Sequence, residues 1–326
     1  MQYVNLGSAG VKVSRICFGC MSFGNDNAWK LELDKARPLV QKAIDLGINF
    51  FDTANSYSLG RSEEITGECL KGYRDDIVVA TKVRGAMGKG PNDSGLSRYH
   101  VMRQIKASLE RLQMNEIDLY QIHRWDYMTP IEETMRTLND IVRQGMARYI
   151  GASSMFAWQL QSALYTSEKL GLEKFVSMQN HYNLVYREEE REMIPLCKEA
   201  GIAVIPWSPL ARGFLTGKYK RGETPKSLRY ENERMDGHNL MADRYFRPED
   251  FDVIETVVAV AKEKDVSPSQ VALAWLIHKD VTAPIIGVTK IHHVEEAVEA
   301  LDVKLDSDDM KRLEDSYKPH PVIGHE

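Results

Sequence analysis

Long apolar runs, cysteine pairs in number, an excess of positive charge and a glycine-rich nucleotide loop are all missing from this 326-residue chain. Each absence closes off a class of function. No stretch approaches the eighteen or so consecutive apolar residues of a membrane span, and the N-terminus shows no signal-peptide pattern. A cytoplasmic location with no membrane partner is therefore expected. The only thiols are Cys17, Cys20, Cys69 and Cys197, too few for a disulfide framework in a chain of this size. Cys17-Phe18-Gly19-Cys20 is formally a C-x-x-C pair. A redox pair of that kind should open a helix, whereas this one ends an apolar run and enters a loop. No second pair is present to complete a zinc site, so no metal is expected, and Cys20 is placed near the mouth of the functional site. Net charge is −5, which argues against a nucleic-acid surface. The sequence holds no internal repeat, linker or low-complexity tract.

What is present is a regular alternation. Eight short apolar runs lie at 16–18, 48–52, 77–82, 117–123, 147–153, 175–179, 203–206 and 282–286. Helical-period stretches at 35–46, 62–71, 98–112, 131–144, 156–170, 187–200 and 267–278 separate most of them. Alternating strands and helices imply parallel βα units, and eight units suggest an α/β (β/α)8 TIM barrel. A doubly wound sheet is the competing fold, but no G-x-G-x-x-G follows any early strand. Tyr3–Leu6 and Val11–Val13 flank Gly7-Ser8-Ala9-Gly10, which predicts an N-terminal β-hairpin plugging the amino-terminal mouth of the barrel. Helices at 249–264 and 306–317 are extra to the eight units. The stretch 211–248 has no clear period and reads as a long loop covering a cofactor. Residues 1–326 read as one domain.

Three of these runs end in an ionisable residue: Asp52, Lys82 and His123. Tyr57 lies five residues past Asp52, in the loop after that strand. In a parallel barrel all carboxyl ends open on one face, where reactive residues gather. An unperturbed tyrosine, with a pKa of about 10, is a poor acid at neutral pH. A nearby ammonium favours the phenolate and a histidine can hydrogen-bond the same oxygen, which turns a tyrosine into a usable general acid. Asp52 would keep Lys82 charged and oriented. The competing chemistry is a Schiff-base lyase using Lys82 as its nucleophile.

The motifs Phe51-Asp52-Thr53-Ala54-Asn55-Ser56-Tyr57, Thr81-Lys82, Gln121-Ile122-His123-Arg124-Trp125, Gly151-Ala152-Ser153-Ser154 and Trp207-Ser208-Pro209-Leu210-Ala211-Arg212-Gly213 are long and ordered. On them the chain resembles the aldo-keto reductase superfamily from Tyr3 to its C-terminus. Tyr186–Glu192 and Tyr317–Gly324 are similar to its bacterial YajO-type branch, associated with 1-deoxyxylulose 5-phosphate. The resemblance implies an NADPH-dependent enzyme that reduces an aldehyde or ketone. Its only implied partner is a small-molecule carbonyl substrate, sugar-like or phosphorylated. It further implies that Ser153 and Gln179, with Ser154 beside them, meet the nicotinamide carboxamide. Trp207 would stack on the ring, Ser208, Pro209 and Leu210 form the turn at the pyrophosphate, and Lys218 close over the phosphates. The junction from Gly287 through Thr289, Lys290 and His293 to Glu296 would hold the adenosine 2′-phosphate. A hydroxyl beside a cation at a helix start suits an anion. Family members usually carry Arg or Gln in place of His293, and often Asn in place of Ala297. The substrate pocket is expected to include Phe23, Arg124 and Trp125. Arg124 either meets a substrate anion or is held by Asp126. A nicotinamide-binding regulatory subunit without turnover is the remaining alternative.

Overall fold

The computed structural model describes residues 1–223, 231 and 245–325. Strands β1 (Tyr3–Asn5) and β2 (Lys12–Ser14) pair antiparallel, with Val4 opposite Val13. Eight parallel strands follow: β3 (Cys17–Gly19), β4 (Phe50–Asp52), β5 (Val78–Val83), β6 (Ile117–Ile122), β7 (Ala147–Ser153), β8 (Ser177–Gln179), β9 (Ala203–Val204) and β10 (Ile285–Gly287). Their order is β10-β3-β4-β5-β6-β7-β8-β9. Two backbone bonds close the ring between its ends, from Thr282 N to Val204 O at 2.8 Å and from Ile285 N to Pro206 O at 2.9 Å. The sheet is a (β/α)8 barrel.

Period-two alternation sorts the strand residues into two cores. Inward-facing Cys17, Phe50, Val78, Ala80, Leu119, Ala203, Ile205 and Ile285 pack together with Leu6 and Val13 of the hairpin. Outward-facing Phe18, Phe51, Val79, Tyr120, Ile150, Met178 and Ile286 pack beneath the helices. The hairpin thus plugs the amino-terminal mouth, and Ser8 N bonds Gly201 O there at 2.7 Å. Its turn requires glycine: Gly7 has φ +60, and a Cβ on it would lie 2.5 Å from Gly201 O.

Among the described residues the helices are α1 (Leu33–Asp45), α2 (Arg61–Leu70), α3 (Arg98–Leu112), α4 (Ile131–Arg143), α5 (Ala157–Leu170), α6 (Met193–Glu199), α7 (Pro248–Glu263), α8 (Pro268–His278), α9 (Ile291–Glu299) and α10 (Ser307–Asp315). Signals for these boundaries are local. Ser267 caps α8 through Gln270 N with Pro268 behind it, and Gly171 ends α5 in a left-handed conformation. The helix expected at 187–200 is shorter. One 3-10 turn at Glu188–Glu190 precedes α6, which starts at Met193. Pro195 has no N–H to give, which suits its place in the first turn of α6. Helices α7 and α10 are the two extra ones. Of the expected loop 211–248, residues 224–230 and 232–244 lie outside those described. No described helix is long and apolar enough to cross a membrane.

Candidate active site

The inward face of the barrel changes character at its carboxyl end. Asp52, Lys82, Gln121 and Gln179 take the inward positions of β4, β5, β6 and β8, and all are buried. Lys82 lies in register with Gln121. Its ammonium donates to Asp52 Oδ2 at 2.6 Å, to Thr53 O at 2.7 Å and to the Tyr57 hydroxyl at 3.2 Å. Three donors meet three acceptors, so no proton is left over. Burial opposes the Lys82 charge, but Asp52 and then Tyr57 outweigh it and raise the lysine above its ordinary value. Asp52 Oδ1 accepts from Gln121 Nε2 at 3.0 Å and Gln179 Nε2 at 2.9 Å. The carboxylate fixes both amides with their nitrogens toward it.

Tyr57 starts a 3-10 turn in which Ser58 and Leu59 are left-handed, with φ 48 and 50. The His123 ring meets the Tyr57 ring edge-on, 5.7 Å between centroids. Burial holds the His123 imidazole well below its usual range, and Lys82, Arg124 and Arg84 push the same way. At neutral pH it is therefore uncharged and can donate one hydrogen bond. Non-glycine residues with positive φ follow the strand ends: Arg84 (φ 140), Ser154 (φ 40) and Ser208 (φ 52). Such strained residues concentrate where a site must be built.

A polar and aromatic surface extends from this cluster. Ser153 Oγ and Ser154 N both donate to Gln179 O, at 3.0 and 3.1 Å. Trp207 Nε1 donates to Ser154 Oγ at 2.8 Å. Parallel to the Trp207 indole, 4.2 Å away, lies His181, and Tyr186 stacks beyond it at 4.1 Å. Asn183 holds the Ser208-Pro209-Leu210 turn through Ser208 O at 2.9 Å. Farther along, the Lys218 ammonium sits where a Cβ on Gly213 would meet it at 2.9 Å. Lys218, Lys290 and His292 all act electrostatically on His293. Gly287 is exposed, Thr289 N donates to His293 Nδ1 at 3.4 Å, and Glu296 is half-buried on α9. Ala297 is 2% exposed and packs into the outer core.

Three residues sit differently from expectation. Phe23 is fully buried against Phe18, because its N–H folds back to Cys20 O and turns the ring into the outer apolar layer. It does not line an open pocket. Cys20 is likewise buried in that layer rather than at the mouth, and its thiol is raised by burial. Asp126 does not hold Arg124; it accepts from Leu96 N, Met128 N and Thr129 Oγ1. Arg124 Nη1 instead donates to His123 O at 2.6 Å, with Ser153 Oγ at 3.4 Å, and its guanidinium lies 5.8 Å from the Trp207 ring centroid. Trp125 is 8% exposed, tilted against exposed Trp158 at 6.0 Å. All four cysteines are free, and no described group of His, Cys, Asp and Glu could hold a metal.

Sequence reasoning passed over Gln121 and the C-terminal tail as parts of the site. Gln121 is visible as the polar residue that follows Leu119 on the inward face of a buried strand, where a polar group demands a partner. Gly151 leaves it room: a Cβ there would lie 3.1 Å from Gln121 Cγ. The tail reaches the site through Gly324, whose Cβ would touch the Trp207 ring at 3.3 Å, and through His325, on Phe156 and Glu189. No local pattern announces that contact.

A parallel (β/α)8 barrel with ionisable side chains gathered at its carboxyl end is the architecture of a barrel enzyme. The chain belongs to the aldo/keto reductase family, whose profile matches residues 15–318. It is 40% identical to versiconal hemiacetal acetate reductase of Aspergillus parasiticus, over 99% of this chain and 98% of that protein. It is also 40% identical to the aldo-keto reductase dtxS3 of Metarhizium robertsii, over 100% of this chain and 93% of the other. A Schizosaccharomyces pombe protein assigned by name to the aryl-alcohol dehydrogenases is 38% identical, over 99% and 97%. This chain is accordingly an oxidoreductase. These relatives are fungal, and none carries the bacterial deoxyxylulose-phosphate association expected from the tail.

Proposed function

We propose that this chain, as one catalytic unit over residues 1–326, reduces an aldehyde or ketone to an alcohol with NADPH, using Tyr57 as general acid. The observation that carries the reading is the Lys82 ammonium, bonded at once to Asp52 and to the Tyr57 hydroxyl. NADPH, when bound, supplies the hydride. The residues present fit it in donor chemistry. Ser153 and Ser154 offer hydroxyls, and Gln179 offers Oε1, since its nitrogen is committed to Asp52. Trp207 offers a flat face backed by His181, while Lys218 and Lys290 offer cations, Thr289 a hydroxyl and the start of α9 free N–H groups. Tyr57 holds the proton that the developing alkoxide needs, and Lys82 stabilises the phenolate left behind. Neutral His123 orients the carbonyl oxygen by donating to it. Asp52 keeps Lys82 charged, and Gln121 and Gln179 keep Asp52 in place.

A buried ammonium with every proton bonded is not available as a Schiff-base nucleophile, so the lyase reading has no support. For the substrate, Trp125 and Trp158 beside the His123–Arg124 strand end favour a planar aromatic carbonyl. The names of the aryl-alcohol dehydrogenase relatives agree with that class. A phosphorylated sugar-like carbonyl is the second reading and rests on the Arg124 guanidinium.

The test is Tyr57→Phe. NADPH affinity by fluorescence titration should stay within about twofold while reduction of an aryl aldehyde falls on the order of 10²-fold or more. Near-wild-type turnover of the variant would remove Tyr57 from the acid role.

A further inference from the structure

His293 sits among cations. It is the third residue of α9, with Lys290 at the N-cap and His292 edge-on at 4.5 Å. Lys218 approaches from the loop after the 3-10 turn at Ala211–Thr216. The carboxylates of the same helix do not cancel these charges: Glu295 is bonded to Lys42 of α1 at 2.7 Å, and Glu296 lies a turn further on. Burial first, then His292, Lys290 and Lys218, depress the imidazole to about 4. At neutral pH the ring is therefore uncharged. Its Nδ1 accepts from Thr289 N, so its proton resides on Nε2.

An anion placed here changes both terms. It reverses the local field, which favours the imidazolium. A proton taken from solvent at Nδ1 also turns an acceptor into a donor and releases the Thr289 N–H, so that both groups can point at phosphate oxygens. We propose that His293 is a proton-coupled ligand of the coenzyme's 2′-phosphate, so that selection of NADPH over NADH strengthens as pH falls. This rests on reading the junction as the 2′-phosphate site. A lysine or arginine in its place would bind phosphate with no such dependence, since its charge is fixed near neutrality.

The sign follows from linkage. The free protein carries a neutral His293 and the complex a charged one, so binding takes up a proton and affinity falls as pH rises toward the bound-state pKa. The phosphate's own second ionisation, near pH 6, acts in the opposite direction below that value. The useful window is therefore pH 6 to 8.

The experiment titrates wild type and His293→Gln with NADPH and with NADH by tryptophan fluorescence across that window. Calorimetry in two buffers of different ionisation heat counts the protons. In wild type the ratio of NADH to NADPH dissociation constants should fall about three- to tenfold from pH 6 to 8, with net proton uptake for NADPH alone. His293→Gln should lose both the fall and the uptake while binding NADH as wild type does. The same pH slope and proton count in both proteins would overturn the proposal. Lys290→Met separates the two layers of the argument. It should weaken NADPH by about tenfold or more and spare NADH. If it weakens both alike, the junction is not the 2′-phosphate site and the proposal fails with it. If it is selective while His293→Gln keeps the wild-type slope, only the proton coupling falls.

Discussion

The two ends of the barrel are made by the same strands and have opposite interiors. At the amino end, Phe50, Val78, Ala80 and Leu119 close on Leu6 and Val13 of the hairpin, a dry apolar plug. Two residues further along the same strands stand Asp52, Lys82 and Gln121. One inward step of about 7 Å therefore separates hydrocarbon from an ion pair. The plug is stabilised by burial that needs no partner geometry. The carboxyl end is stabilised only while every donor meets its acceptor, because a buried charge left alone is costly. One half of the barrel can hold the fold so that the other half can hold polar chemistry.

Breaking the carboxyl end should have the largest effect, because there stability and activity share the same atoms. Lys82→Met strands the Asp52 carboxylate at a buried site with only two amide donors. Stability should drop by about 3–5 kcal/mol, and carbonyl reduction should disappear with it. Urea unfolding together with a reductase assay reads both. A variant as stable as wild type would show that water reaches Asp52 and that the two ends are less different than their packing implies.

Breaking the amino end should separate the two properties. Leu6→Ala removes a fully buried side chain from the plug, far from Tyr57 along the barrel axis. A loss of about 2–5 kcal/mol is expected from burial and cavity. The remaining folded enzyme should keep its kcat within about twofold, because no group of the carboxyl face is touched. A large fall in kcat for folded protein would mean that the plug also sets the position of the catalytic strands.

Much of this contrast is legible in the sequence. The ionisable residues Asp52, Lys82 and His123 could be seen because each interrupts an apolar run at its end, and strand ends are where a barrel opens. The hairpin is visible from a glycine-flanked turn between two short alternating runs, and α8 from its helical period over 267–278. Other features carry no local signal. Phe23 is expected as a pocket wall, but a single backbone turn sends it outward. The break between Glu188–Glu190 and α6 was hidden by a continuous helical period, although Pro195 marked it. The approach of Gly324 to Trp207 joins residues more than a hundred positions apart, and only the closed fold brings them together. For Arg124 the sequence offers either a substrate anion or its neighbour Asp126, whereas the loop gives Asp126 to backbone N–H groups and Thr129.

The smallest expected effect sharpens the comparison by asking how dry the carboxyl end is. Burial holds His123 well below the usual histidine range, aided by the Lys82, Arg124 and Arg84 charges. Its neutral form is the one that can hydrogen-bond a carbonyl as part of an uncharged pair with Tyr57. A histidine with its ordinary pKa of about 6.5 would be half protonated at that pH and would bend the acid limb of the rate profile there. A depressed one protonates only at lower pH, so the rate should be insensitive through that region. Between pH 6 and 7.5, kcat for an uncharged aryl aldehyde should change by less than about twofold on this account. The control is His123→Gln, which keeps a donor and removes the titration. If wild type loses half its rate near pH 6.5 and His123→Gln does not, the imidazole titrates as it would in water. The carboxyl end would then be a wet site that owes its polarity to solvent rather than to the buried network around Asp52.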